Sequence, residues 1–284
     1  MISNISKKIV NNILPKLNSG NLTSVFLVGA DLSKKASMRK KIYEKLKLKR
    51  NITIYLPETL MKEVFNSHQV DFLTLENLLA ENVNCVVMCI ESPGSIAEFG
   101  AFTNHNQLRD KLLVIVNKKY KNNRSFINLG PLKMLTRRQK LWYDYPKKKE
   151  RLIKHKLSDS FLKNLNDKIK RIKKQHKLKD KLTNPIKNER FLLSILYCLG
   201  SLSNKEMIYI IKDIIKEETE PYIIMSKAIL SSLSWQRIIS LNNNRYYLTE
   251  KGLERFKKLF RFNYLDTMKI LDNYRIEILN EKLR

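Results

Sequence analysis

The sequence predicts an α/β fold: a doubly wound parallel sheet, then a basic helical region, then a C-terminal winged helix-turn-helix domain. Short apolar strands alternate with helical patterns over the first half of the chain, as in parallel sheets. A lysine-rich amphipathic stretch follows, and the last part of the chain shows helical patterns closed by a hairpin pattern. With 284 residues available, we place the domains at 1–145, 146–186 and 187–284.

The strands of the predicted sheet are short runs of β-branched and other apolar residues. They cover Thr23–Val28, Ile52–Leu56, Cys85–Ile90 and Lys111–Val116, with a weaker fifth strand at 140–143. Helical patterns cover 3–17, Ser37–Leu48, Leu73–Glu81 and a stretch that begins at Ser95. Since helices alternate with the strands, we expect parallel strands whose carboxyl ends share one edge, where open α/β sheets bind ligands.

Positive charge is concentrated in the middle of the chain. The sequence carries 55 Lys and Arg against 27 Asp and Glu, a net charge of +28, and residues 131–190 hold 21 of the basic and six of the acidic side chains. Such a surplus is typical of polyanion binders, and the alternative is a lysine-rich solvated surface from an AT-rich genome. Apolar residues spaced by three and four from Leu152 to Ile172 predict a helix here. The predicted nucleic-acid contacts are Lys147, Lys148, Lys149, Arg151, Lys173 and Lys174.

The C-terminal part has the pattern of a winged helix. Helical patterns cover Glu189–Leu199, Asn204–Lys216 and Pro221–Ser234. A hairpin pattern follows at Arg237–Leu241 and Arg245–Thr249, and another helix begins at Glu250. The third helix offers Lys227 as its clear cation, which favours a shape or phosphate binder, or a protein-docking element, over a sequence-specific reader. On the wing we predict contacts from Arg237, Arg245 and Tyr246.

The candidate catalytic residue is Glu98. The strand that ends at Ile90 is followed by a turn with Pro93 and Gly94, so a helix from Ser95 would hold Glu98 in its first turn. There the helix dipole favours an ionised carboxylate, which can act as a nucleophile. The alternative is a capping box, in which Ser95 and Glu98 only fasten the start of the helix.

This segment resembles the nucleoside 2-deoxyribosyltransferase family, in which a small-residue loop and a Glu-x-Gly segment follow the third strand. The resemblance rests on Glu98-Phe-Gly100-Ala101 and implies that Glu98 is the nucleophile. It also implies that Glu76 is a sugar-side acid and that Asn128 completes a site in a neighbouring subunit, which requires a homo-oligomer. Where the family has an aspartate six residues before the nucleophile, this chain has Ser92, so simple base exchange on deoxynucleosides is in doubt.

A narrower group matches more of the chain. The phrases Leu75-Glu-Asn-Leu-Leu-Ala-Glu81, Glu91-Ser-Pro-Gly-Ser95 and Arg124-Ser-Phe-Ile-Asn-Leu-Gly-Pro131 resemble deoxyribosyltransferase-like effectors of bacterial retrons. This resemblance implies an antiviral toxin that cleaves the glycosidic bond of NAD and that a reverse transcriptase and its multicopy single-stranded DNA (msDNA) control. NAD would be the substrate, and no separate cofactor is expected.

Two loops should form the walls of the site. Gly29 and Asp31 follow the first strand, and Ser92, Gly94 and Ser95 lie in the loop before Glu98. Backbone N–H groups at the helix start could bind hydroxyl or phosphate oxygens. Asp31 is equally well explained as a turn residue.

Other classes of site are disfavoured. Cys85, Cys89 and Cys198 lack zinc-type spacing and lie in apolar runs, so we expect buried thiols, a reducing cytoplasm and no metal. No run approaches the length of a membrane span. Two alternatives stay open: a transferase or hydrolase of nucleosides or nucleotides, and a non-catalytic DNA-binding regulator that senses a nucleotide.

Overall fold

The chain folds into two compact units. The computed structural model describes residues 2–16, 22–60, 72–144, 156–176, 178, 181–216, 218–260 and 264–283. Residues 22–57 and 76–179 make up one unit, here called the sheet unit. Residues 1–21, 58–75 and 180–284 make up the other, the helical unit. This division differs from the boundaries expected at 145 and 186, because both ends of the chain and the segment 58–75 share one unit.

The sheet unit is built on a five-stranded parallel sheet. Its strands are β1 (Thr23–Val28), β2 (Ile52–Tyr55), β3 (Cys85–Cys89), β4 (Leu112–Asn117) and β5 (Lys140–Tyr143), in the spatial order β2-β1-β3-β4-β5. Every pair is parallel. The parallel sheet and all five of its strands, including the weak fifth, are therefore confirmed.

The helices follow the predicted alternation, with short additional turns. They are α1 (Ile2–Asn12), α2 (Met38–Leu46), α3 (Pro57–Leu60), α4 (Phe72–Glu81), α5 (Pro93–Asn104), α6 (Asn106–Lys111), α7 (Phe126–Leu129), α8 (Pro131–Met134), α9 (Asp159–Gln175), α10 (Pro185–Leu199), α11 (Asn204–Ile214), α12 (Glu220–Trp235), α13 (Glu250–Leu259) and α14 (Tyr264–Lys282). The sequence patterns missed α3, α6, α7 and α8, because four to six residues are too few to show helical periodicity. The long C-terminal helix α14 was not predicted either.

Helices cover both faces of the sheet. On one face, α2 and α9 pack on alternate residues of the strands, and the buried stripe of α9 is Leu165, Ile169 and Ile172. The other alternate residues point to the opposite face, where α5 and α6 pack against β3. The amphipathic helix expected in the basic region is thus confirmed over Asp159–Gln175, whereas 145–155 lie outside the described residues.

The helical unit assembles around α10, of which nearly every residue is buried. Helices α1, α12 and α14 pack against α10. The apolar side of α1 buries Ile5 and Ile9, and Lys7 pairs with Asp213 of α11 at 2.7 Å. These contacts explain why the N-terminal helix belongs to this unit.

A small antiparallel sheet completes the helical unit. Its order is β6 (Leu202–Ser203), β8 (Arg245–Leu248), β7 (Ile239–Asn242), and β6 was not expected from the sequence. Asn243 and Asn244 both have positive φ, 48° and 57°, as the two-residue type I′ turn of a hairpin requires. The predicted hairpin is confirmed. Across the described residues, we find no helix that is both long and apolar enough to cross a membrane.

Position 29, the first after β1, requires glycine, because of its backbone conformation and because of its close neighbours. Its φ of 148° is a conformation that side chains disfavour, and a Cβ there would lie 2.9 Å from the carbonyl oxygen of Cys89. The ends of β1 and β3 can therefore approach closely only because residue 29 has no side chain.

We expect Gly29→Ala to lower the free energy of unfolding by about 2 kcal/mol, because it adds backbone strain and a clash. Gly100→Ala is the matched control, since Gly100 lies in α5 with nothing within 4 Å of its added Cβ. The control should be neutral or stabilise by up to about 1 kcal/mol. Urea denaturation of both variants measures the difference, and similar losses in the two would contradict this account.

Candidate active site

The carboxyl ends of β1 and β3 define the candidate site. These strands are neighbours, but the chain leaves β1 toward β2 on one side and leaves β3 toward β4 on the other. Such a reversal of strand order opens a crevice at the carboxyl edge of the sheet, and open α/β proteins bind ligands there. The loop after β1 begins with Gly29, and the loop after β3 leads into α5 and Glu98.

Arg39 organises the end of β1. Its side chain is buried and donates from Nε and Nη2 to the carbonyl oxygen of Leu27 at 3.1 and 2.9 Å, and from Nη1 to that of Ala30 at 3.1 Å. A buried guanidinium that satisfies the last carbonyl groups of a strand fixes the loop that follows. The sequence analysis did not identify Arg39. Its position on the buried side of α2, beside Met38 and Ile42, was a signal that this cation has a role inside the fold.

Glu91 joins the β3–α5 loop to α2. Its Oε2 accepts the N–H of Met38 at 2.8 Å, and its Oε1 accepts the N–H of Arg39 at 3.0 Å. These are the first two amides of α2, where the helix dipole favours a negative charge. Glu91 therefore positions the loop that precedes Glu98.

The start of α5 corrects one expectation. The helix begins at Pro93 and not at Ser95, and its capping box is formed by Ser92 and Ser95. Ser95 Oγ accepts the N–H groups of Glu91 and Ser92 at 3.1 and 3.0 Å and donates to the carbonyl oxygen of Ser92 at 2.8 Å. Proline is favoured at the first helical position, so the cap falls one turn earlier than expected. The expected capping box, in which Ser95 caps the helix and Glu98 bonds back to it, was therefore wrong.

Glu98 consequently lies in the second turn of α5, not in the first. Ser95, Phe99, Phe102 and Thr103 form the buried face of the helix, and Glu98 borders it half-buried, with its Oε2 atom shielded from solvent. Helical side chains lean toward the N-terminus, so the carboxylate covers the first turn of α5 at the sheet edge. The helix dipole acts on it more weakly than was expected, because its effect fades after the first turn.

Small residues lie near Glu98 in α5. Ala97 and Gly94 are exposed, and neither Gly94 nor Gly100 has an atom within 4 Å of where a Cβ would stand. The surface at these two glycines is therefore open, and the exposed side chain of Ile96 lies on the same helix.

The profile of the STM3845 retron effector protein family matches residues 35–241, which include Arg39, Glu91, Glu98 and the helices α10, α11 and α12 of the helical unit. The chain belongs to this retron effector family. Two relatives from Escherichia coli extend the match. A protein of retron Ec86 is 31% identical over 266 residues, covering 90% of this chain and 84% of the relative. A protein of retron Ec73 is 28% identical over 253 residues, covering 78% and 79%. The names of both propose a ribosyltransferase and DNA-binding protein.

In this retron effector, Asp31 has a structural explanation. The residue is exposed, and its Oδ1 accepts the backbone N–H of Ser33 at 2.6 Å. That hydrogen bond lowers the pKa of the carboxyl group. Asp31 thus shapes the turn after β1, and its role as a ligand stays a prediction.

Glu76 and Asn128 keep their proposed roles as predictions. Glu76 is buried in α4. The side-chain amide of Asn128 donates to the carbonyl oxygens of Tyr120 and Asn123, both at 2.6 Å, and so closes its own loop. To reach a neighbouring subunit, Asn128 would use its remaining oxygen or release these contacts.

Among the predicted nucleic-acid contacts of this retron effector, Lys173 serves the fold. Lys173 donates to the carbonyl oxygen of Leu22 at 2.8 Å, and burial lowers its pKa, whereas Lys174 is exposed. Arg237 is exposed in a turn with a φ of 58°. Lys147, Lys148, Lys149 and Arg151 lie outside the described residues.

Arg245 is engaged within the helical unit. It donates to both carboxylate oxygens of Glu206, at 3.0 and 2.8 Å, and to Ser201 Oγ at 2.8 Å. This ion pair ties β8 to the start of α11. The neighbouring Tyr246 is fully buried in the fold, which contradicts the surface contact expected of it. In the described part of the chain, no cluster of three His, Cys, Asp or Glu side chains could hold a metal ion.

We expect Glu91→Gln to lower the free energy of unfolding by about 1–2 kcal/mol, because it weakens two charge-assisted hydrogen bonds. Glu44→Gln is a control in the same unit, where the carboxylate pairs with Lys40 and Lys47 at the surface. That change should cost less than about 0.5 kcal/mol. Chemical denaturation compares them, and a loss for Glu91→Gln no larger than for the control would refute the positioning role.

The pair of Glu206 and Arg245 should make stability depend on pH. Burial opposes the charge on Glu206, but hydrogen bonds from Ser203 and Arg245 outweigh it and lower the pKa below 4.5. The pair therefore stabilises the fold above about pH 4.5, and this contribution is lost as the pH falls through the folded-state pKa. We expect Glu206→Gln to destabilise at pH 7 and to differ less from wild type at pH 3, measured by urea midpoints. The exposed Glu218→Gln should show no such convergence.

Proposed function

We propose that this retron effector is an antiviral N-glycosidase that cleaves the bond between nicotinamide and ribose in NAD. The observation that carries the proposal is the position of Glu98, a half-buried carboxylate at the reversal of strand order. The relatives' names, which propose ribosyltransferases, support the reaction class. Supporting evidence also comes from the surroundings: Glu91 and the Ser92–Ser95 cap fix the loop that leads into α5 and Glu98, and Arg39 fixes the neighbouring loop after β1.

In the proposed reaction, an oxygen of Glu98 forms a bond to the anomeric C1′ while the bond from C1′ to the pyridinium nitrogen breaks. The nitrogen keeps the bonding pair, so neutral nicotinamide leaves and no general acid is needed. Water then attacks C1′, the ester to Glu98 breaks, and a proton passes to solvent. The products are ADP-ribose and nicotinamide.

The serine at position 92 supports hydrolysis over base exchange. Ser92, which stands where the transferases have an aspartate, is used as the helix cap. It is not an anionic group poised to bind a deoxyribosyl hydroxyl. The open space at Gly94 and Gly100 leaves room for a substrate beside α5.

We also propose that the helical unit contains a winged helix and that the effector is held by a reverse transcriptase and its msDNA. The order of three helices, a type I′ hairpin and a further helix supports this assignment. Because Arg245 is occupied by Glu206, the hairpin is better suited to docking or phosphate contact than to reading bases. A homo-oligomer in which Asn128 serves a neighbour belongs to the same proposal.

Glu98→Gln should reduce the release of nicotinamide from NAD by at least about 10³-fold, since the amide cannot act as the nucleophile. Glu44→Gln, the same chemical change at the surface of the same unit, should retain activity. Chromatography of the products and the urea midpoint of each variant would be measured together.

The outcomes separate the candidate functions. Nicotinamide release that survives in Glu98→Gln would reject the mechanism. A wild type that frees bases from deoxynucleosides but leaves NAD intact would favour the nucleoside enzyme. A wild type that binds nucleotides without cleaving any of them would favour the regulator.

A further inference from the structure

A basic groove runs along the outer edge of the sheet unit, between β5 and α9. Two adjoining hollows of about 530 and 600 Å³ form this β5–α9 groove, and Arg137 and Lys168 line both. The cations that line it are Lys121, Arg137, Arg138, Lys140, Lys168 and Arg171. Asp110 is the acidic side chain among the described lining residues. A groove with this charge fits a polyanion.

One wall of the groove is a regular stripe of α9. The lining residues are Asn164, Lys168, Arg171 and Gln175. Their spacing of four, three and four places them on one side of the helix, directly beside the buried stripe of Leu165, Ile169 and Ile172. The stripe extends over about 16 Å, because each residue advances the helix by about 1.5 Å. Core packing therefore holds this wall in place.

The cations of the groove repel one another. Lys168 Nζ donates to the carbonyl oxygens of Arg138 and Arg137 at 2.9 and 3.3 Å and so fixes the turn that presents both guanidinium groups. Burial lowers the pKa of Lys168, and the charges of Arg171 and Arg137 lower it further. Across the described residues, no carboxylate forms an ion pair with Arg137, Arg138 or Arg171. A bound anion would relieve this repulsion.

The other wall adds an aromatic ring. Along the edge strand β5, Leu141 and Tyr143 are buried in the core, while Lys140 and Trp142 are half-buried and line the groove. Lysine on an edge strand also discourages pairing with other strands, but this protection does not explain the tryptophan beside it. A cation and an aromatic ring on one side of a strand are the combination with which proteins hold unpaired bases.

We propose that the β5–α9 groove binds single-stranded nucleic acid, with phosphates at Arg137, Lys140 and Arg171 and a base stacked on Trp142. A duplex would keep its bases stacked inside and could not use the ring. The inference deepens the proposed association with nucleic acid, and it does not depend on the reaction at Glu98.

Fluorescence of the full chain tests the proposal. The sequence contains two tryptophans, so Trp235→Phe leaves Trp142 as the single emitting indole. Titration with a 15-nucleotide oligothymidylate, or with the matching oligouridylate, should quench this emission to saturation. A blunt 15-base-pair duplex and inorganic pyrophosphate should quench it far less. Adding Glu98→Gln to this variant should leave the titration unchanged, which separates binding from catalysis.

Charge variants locate the phosphates. The triple change Arg137→Gln, Lys140→Gln and Arg171→Gln should weaken binding at least tenfold and reduce the slope of log affinity against log salt by about two, since each phosphate contact on a single strand contributes about 0.7. The control removes the same charge from exposed positions of the same unit: Lys45→Gln, Lys49→Gln and Arg50→Gln. It should keep the salt slope.

Three results would overturn the proposal. One is binding of a labelled oligonucleotide, seen by anisotropy, with no change in Trp142 emission. Another is an equal loss of affinity in the two triple variants, which would indicate only a long-range effect of net charge. The third is quenching by duplex or pyrophosphate as strong as by the single strand. In the first case the association of the chain with nucleic acid stands, and only its location in the groove fails.

Discussion

The structure of the candidate site depends on one interaction, the carboxylate of Glu91 bound to the first two amides of α2. Through it, a loop that follows β3 is fixed to a helix that follows β1. Gly29 makes the approach of the two strand ends possible, and Arg39, from the same helix, satisfies the carbonyl groups at the end of β1. The place of Glu98 at the edge of the sheet follows from these contacts.

This arrangement also decides where a ligand's negative charge can go. The N-terminus of α2 is a natural anion site, but the protein's own carboxylate already occupies it. A substrate with phosphate groups would therefore have to rely on the start of α5 or on other donors. The chain keeps its larger concentration of cations elsewhere, along β5 and α9, where a different anion would bind.

Features with a local signal could be predicted from the sequence. The strands are runs of apolar residues bounded by turn residues, so they were found nearly to the residue. The regular period of α9 predicted the helix, but the apolar pattern began at Leu152 and the helix begins at Asp159. The start of α5 had a local signal that was given too little weight: Ser92 followed by Pro93 outweighs the later Ser95 and Glu98 as a helix start. The sequence predicted a carboxylate near the sheet edge, but not which turn of α5 carries it.

Features that depend on distant contacts could not be read in this way. Glu91 and its partners are about 50 residues apart, and nothing near Glu91 indicates that it faces a helix terminus. The pattern of α1 shows that one side must be buried, but not that α10 and α11 bury it. Likewise, Arg245 is a residue type that often contacts nucleic acid, and only the fold reveals Glu206 as its partner.

The thiol of Cys89 lies where the two strand ends meet, fully enclosed, and burial raises its pKa well above the usual range, with Glu91 adding to the effect. Cys85 and Cys198 are buried as well. Electrophiles attack the thiolate, so the folded protein should be nearly inert to alkylating agents and mild oxidants. Slow modification of Cys89 would therefore report the rare moments at which the edge of the sheet separates, and its rate would measure the free energy of that local opening.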